Sequence, residues 1–216
     1  MKRVEPKSRV DGGYKYLTPG KVSQFRRFMA RQDKTAGTLG WNAQRDDLII
    51  EIGLRCGLRR EEIQMIDMVD ALDTRGHRDD ADLLKVIGKG NKERSVPVPS
   101  DIRAKLDAFI KLKPRHGESI EDDAPVFVSN KRNRLSLRAI NALVAKRFEE
   151  AGAGYASPHM LRHTFARWYL TNSENVNRAR VNLPLLLGHD KLDTTRIYLQ
   201  STLPDIYREI EKLPRG

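Results

Sequence analysis

His159 and Arg162 stand three residues apart in the stretch SPHMLRHTFARWYL, residues 157–170. On a helix of about 3.6 residues per turn, that spacing sets the imidazole and the guanidinium on one face, where both reach a single oxyanion. Residues 183–200, LPLLLGHDKLDTTRIYLQ, hold His189 nine residues before Tyr198, and the intervening LDTTRI reads as a short helix that turns the phenol inward. A tyrosine beside two histidines and an arginine is a candidate nucleophile for phosphorus. The histidines have no third ligand at metal spacing and their arginine neighbours repel cations, so no metal centre is expected.

Upstream, Gly57-Leu58-Arg59-Arg60-Glu61-Glu62 offers another arginine, and Gly88-Lys89-Gly90-Asn91-Lys92-Glu93-Arg94 offers a lysine on a glycine-flanked turn. From position alone, Arg59 caps the preceding helix or pairs with Glu62, and a turn lysine such as Lys89 is ordinarily solvated. With His159-Met160-Leu161-Arg162, Leu187-Gly188-His189 and Tyr198, these make five boxes in order. They resemble the signature of the tyrosine recombinases, the family of phage-type integrases and Xer recombinases. The resemblance runs from about Tyr16 to the C-terminus.

The resemblance implies a mainly α fold with a small β-hairpin (α+β), similar to the catalytic domain of those recombinases. It implies site-specific DNA cleavage and rejoining, with Tyr198 attacking to form a 3′-phosphotyrosine and Arg59 and Arg162 clamping the non-bridging oxygens. Lys89 would protonate the leaving 5′-oxygen, His159 would assist proton transfer at the nucleophile, and His189 would donate to a phosphate oxygen. No cofactor is implied, and the nucleotide-binding pattern G-x-x-x-x-G-K-[ST] is missing. The implied partners are double-stranded DNA, further copies of the chain as a dimer or tetramer on it, and in some systems a partner recombinase. A non-cutting accessory that keeps the fold and positions another recombinase is the alternative, against which stands the presence of all six chemical groups. Relatives usually carry a separate helical DNA-binding domain ahead of the catalytic one, so the chain is expected to be the catalytic domain alone.

Forty Lys and Arg against 29 Asp and Glu give a net charge of +11, which suits a polyanionic partner. The single cysteine, Cys56, excludes an intrachain disulfide, and its place on the stripe Leu48, Ile49, Ile52, Cys56 reads as a buried thiol. No run approaches the eighteen apolar residues of a membrane span, and no apolar run follows the basic start, so a cytoplasmic protein is expected. Residues 1–15 read as a flexible basic arm and residues 16–216 as the catalytic domain.

The elements that must position these groups follow from periodicity and punctuation. Thr18-Pro19 opens a helix through about Arg31, with Val22, Phe25, Phe28 and Met29 inward. After a Gly-rich link, Thr35 to Gly40, a helix runs from about Asn42 to Cys56 and stops at Gly57, and a short one from Arg60 to Ile66 follows. Asp67 to Ala81 reads as a polar connector. Asp82 to Ile87 and Arg94 to Val98 pair as a hairpin, with Pro97 marking an edge. Ser100-Asp101 is expected to cap a helix to about Leu112, Val126 to Ser129 is extended, and Ser136 caps Leu137 to Ala151. The polar side of that last helix and its lead-in hold Lys131, Arg132, Arg134, Arg138, Lys146 and Arg147, candidates for tracking DNA phosphates or simply a wet face. Leu203, Ile206, Tyr207, Ile210 and Leu213 form a last apolar stripe, bound for the chain's own core or for a neighbouring protomer.

Overall fold

The computed structural model describes residues 15–36, 40–72, 82–88, 93–188 and 206–214. Lys89, His189 and Tyr198 lie outside the described residues, as do residues 1–14 of the expected arm and residues 73–81 of the expected connector.

Helix α2 (Trp41–Arg55) is the central element, because from Asp46 onward every residue of it is buried. It packs against α7 (Pro158–Asn172) and α5 (Ser100–Leu112), and also meets α3 (Arg60–Gln64) and α6 (Leu137–Glu150). Leu48, Ile49, Ile50, Ile52 and Leu54 supply its apolar surface, and Cys56 beyond its end is fully buried, which pushes the thiol up to about 12. Its four buried charges are each matched from another part of the fold. Asp46 takes Arg147, Asp47 takes Lys105, Glu51 takes Arg26, and Arg55 reaches Asp101. A charge this deep is tolerable only with such a partner.

Helix α1 (Pro19–Ala36) runs about a turn further than its sequence suggests, with Pro19 at its first position and Val22, Phe25 and Met29 buried. Phe25 stacks on Phe148 of α6 with ring centroids 4.8 Å apart. The expected connector opens instead with a short helix, α4 (Met68–Leu72), whose start is fixed by Asp70 accepting a hydrogen bond from the Asp67 N–H at 3.1 Å. Helix α5 begins at the expected cap itself. Ser100 is its first helical residue with Pro99 ahead of it, the Ser100 N–H donates to Glu211, and Asp101 accepts from Arg55. Ser136 does cap α6, accepting from the Ala139 N–H at 3.1 Å.

Strands β1 (Leu83–Ile87) and β2 (Glu93–Pro97) pair antiparallel, with Leu84 opposite Val96 and Val86 opposite Arg94. Side chains alternate across a strand, so Arg94 falls on the same face as the buried Leu84, Val86 and Val96. After α8 (Val176–Leu186), the chain is next described at α9, residues 206–211. Ile206, Ile210 and Leu213 are buried in this same chain's core.

Candidate active site

The site begins where α2 ends. Gly57 turns the chain with φ +65°, and a Cβ there would sit 2.3 Å from the Phe165 ring, so only glycine fits. Two residues later, Arg59 takes the extended N-cap position of α3, and its own N–H donates to Glu62 Oε2 at 2.7 Å. Its guanidinium donates to Glu62 Oε1 at 2.9 Å through Nη1 and to the carbonyl of Gly188 at 3.2 Å through Nη2. The pairing with Glu62 and the placement in the site therefore occur together.

Ser157 accepts from the Met160 N–H, and with Pro158 in the first turn it starts α7. One turn on, His159 is exposed and Arg162 is buried. Arg162 donates to the carbonyl of Gly57 at 2.8 Å and to that of Leu187 at 2.5 Å. Burial, with the positive charges of Arg59 and Arg94, brings its guanidinium down to about 10, and Glu62 opposes the fall. It stays charged at neutral pH. Arg59 and Arg162 thus grip consecutive carbonyls of the Leu187-Gly188 turn, the last described residues before His189.

Two side chains in this cluster were not singled out from the sequence. Arg94 donates to both carboxylate oxygens of Glu62, at 2.6 and 2.9 Å. Burial alone would raise the Glu62 carboxyl, yet Arg94 and the Arg59 N–H hold it below the usual carboxylate range. The signal for Arg94 was present in the alternation Arg94, Val96, Val98, which puts an arginine at an inward register of a strand. His163, one turn along α7 from His159, places its Nε2 2.9 Å from that of His159 with the rings edge to face. One nitrogen donates and the other accepts, so this contact holds a single proton. Burial, then His159, Lys15 and Arg162, lower the affinity of His163 for a second proton.

The six cations proposed to track DNA divide into two kinds. Lys131, Arg132, Arg138 and Lys146 are exposed. Arg134 instead binds the carbonyl of Gln64 and the carboxylate of Asp67, and Arg147 binds buried Asp46 and also Glu150. Those two guanidiniums tie elements together. Among the described residues, no three His, Cys, Asp or Glu side chains gather as metal ligands, and no helix is long and apolar enough to cross a membrane.

Residues 16–203 match the model of the phage integrase family. The tyrosine recombinase XerC of Chromohalobacter salexigens is 35% identical over 158 residues, which are 72% of this chain and 48% of that protein. The chain thus spans about half the length of the curated relatives it matches. Among solved structures, XerA recombinase is similar with a TM-score of 0.61 at 23% identity, covering 99% of this chain and 68% of that one. XerH bound to its difH substrate before cleavage gives 0.63 at 20% identity, covering 88% and 52%. At these identities the two structures speak for the fold alone, which in this chain is mainly helical with one two-stranded sheet among the described residues.

Proposed function

The chain belongs to the phage integrase family, and from that premise we propose that it is a site-specific recombinase that cuts and rejoins duplex DNA through a 3′-phosphotyrosine intermediate. Tyr198 attacks the scissile phosphorus, while Arg59 and Arg162 bind the non-bridging oxygens as charge builds on the pentacoordinate phosphorane. Lys89 gives a proton to the leaving 5′-oxygen, His159 assists proton transfer at the phenol, and His189 donates to a phosphate oxygen. The phosphotyrosyl ester retains the energy of the bond it replaces, so the 5′-hydroxyl of a second strand reverses the step without ATP. Guanidinium charge serves where a metal ion otherwise would.

The observation that carries this reading is the convergence of Arg59 and Arg162 on adjoining carbonyls directly ahead of His189, with the Arg59 side chain still 30% exposed to an incoming anion. Duplex DNA as the partner is supported by the net charge of +11 and by the substrate-bound state of the XerH neighbour. One chain carries one nucleophile, so exchanging strands between duplexes calls for several copies on DNA, or for a partner recombinase beside this one. A nicked suicide duplex, cut from DNA flanking the chain's own gene, tests the proposal. The expected product is an SDS-resistant protein–DNA adduct that Tyr198→Phe abolishes while leaving DNA affinity almost unchanged. Adducts persisting in that variant would remove Tyr198 from the role. A wild-type chain that binds the duplex and never cuts it would make the protein a non-cutting accessory instead.

A further inference from the structure

Glu62 is the most enclosed charge in the site, its side chain only 2% exposed, and three guanidiniums surround it. Arg94 holds it with two hydrogen bonds, Arg59 reaches Oε1 with one, and Arg162 stands 3.7 Å from Oε2. One carboxylate cannot neutralise three arginines, so the cluster keeps a surplus of two positive charges. Where that surplus lies depends on which arginine Glu62 holds most firmly. The bidentate fork belongs to Arg94, the planar match that favours arginine over lysine at such a contact. Arg94 also lies against the turn that leads to His189. A Cβ on Gly188, whose φ is +62°, would sit 3.1–3.2 Å from its guanidinium atoms. Its Nε is buried without a hydrogen-bond partner, so Arg94 is fixed by Glu62 and by packing.

We propose that Arg94 is a positioning residue of the site. By occupying Glu62 and supporting the Gly188 turn, it leaves the Arg59 and Arg162 guanidiniums to a phosphate. Without it, Glu62 would be left to Arg59, which already donates to it, and to Arg162, and would cancel half of the charge meant for the phosphorane. The inference rests on the proposed recombinase activity, but it makes a claim about anion binding that does not need the reaction.

Two measurements on folded protein, at a temperature where circular dichroism shows every variant native, separate the cases. In single-turnover cleavage of the suicide duplex, Arg94→Gln is expected to lose at least tenfold in rate with DNA affinity within about threefold of wild type. Glu62→Gln/Arg94→Gln is expected to regain at least threefold of that loss, and Arg94→Lys to recover only part of it. The second measurement is the rise in melting temperature produced by inorganic phosphate over chloride at equal ionic strength. It should be present in wild type, absent in Arg59→Ala and absent in Arg94→Gln. If wild type forms no adduct but the phosphate response still depends on Arg94, the recombinase reading fails and the positioning role stands. If Arg94→Gln cleaves at the wild-type rate, or keeps the full phosphate response, the positioning role is overturned. A rate that falls only in step with the folded fraction of the variant overturns it as well.

Discussion

Gly57→Ala isolates the joint on which both site arginines depend, since Arg59 lies two residues beyond it and Arg162 donates to its carbonyl. Two independent costs follow from its geometry. An alanine at φ +65° adopts the left-handed region, at about 1–2 kcal/mol. Its Cβ would also lie 2.3 Å and 2.7 Å from Cδ1 and Cε1 of Phe165, a fully buried ring with nowhere to withdraw, and such overpacking costs about 1–3 kcal/mol. The sum, about 2–5 kcal/mol, is a large share of the roughly 5–15 kcal/mol that stabilises a domain. At this chain length it corresponds to a drop of about 4–20 °C in Tm. Urea unfolding followed by circular dichroism measures it directly. In a Phe165→Leu background the steric part should vanish and the substitution should cost only about 1–2 kcal/mol. An equal cost in both backgrounds, or a cost under about 1 kcal/mol in the first, would refute the account of this turn.

Arg147→Ala should lower the unfolding midpoint, because buried Asp46 is left with Arg45 alone, while changing the salt dependence of DNA binding little. Arg138→Ala should do the reverse, reducing the slope of log affinity against log salt by about one, and equal behaviour of the two variants would contradict the division between tied and exposed cations. Removing residues 203–216 strips Ile206, Ile210 and Leu213 from the core, at up to about 1.5–3 kcal/mol each, and a truncated chain that melts like wild type would mean these residues do not dock on their own chain. His163 is held below its ordinary value of 6.5, so the folded chain binds fewer protons than the unfolded one as pH falls past it. Its contribution to stability is therefore complete above about 6.5 and lost as pH drops through the lowered value. His163→Asn should flatten that part of a stability–pH profile, and an unchanged profile would remove His163 as its source.

What the sequence disclosed well was whatever a single element encodes. The α2 stripe and the Ser136 cap are local patterns, and each element formed where its pattern lay. The short helix α4 escaped notice because one Asp70–Asp67 contact inside a polar stretch starts it, with no periodicity to advertise it. The charged contacts were hidden for another reason, since Arg94 meets Glu62 across 32 residues and Arg134 meets Asp67 across 67. Guanidiniums on a wet-looking helix face look alike in a sequence, and only folding reveals that Arg147 is engaged with Asp46 while Arg138 is exposed.

The paired charges along α2 also constrain how this protein can change over generations. Asp46, Asp47, Glu51 and Arg55 each answer to a partner far away in the chain, so altering that partner alone leaves a buried charge of α2 short of its counter-ion. Drift at these sites must pass through a weakened intermediate or change both members at once. Related chains should then show Arg26 and Glu51, or Lys105 and Asp47, retained or exchanged together. A mutational library built one position at a time would record only losses there. Joint replacement of Arg26 and Glu51 by well-packed aliphatic residues is, by contrast, the kind of step that leaves stability unchanged or raises it by about 1–4 kcal/mol.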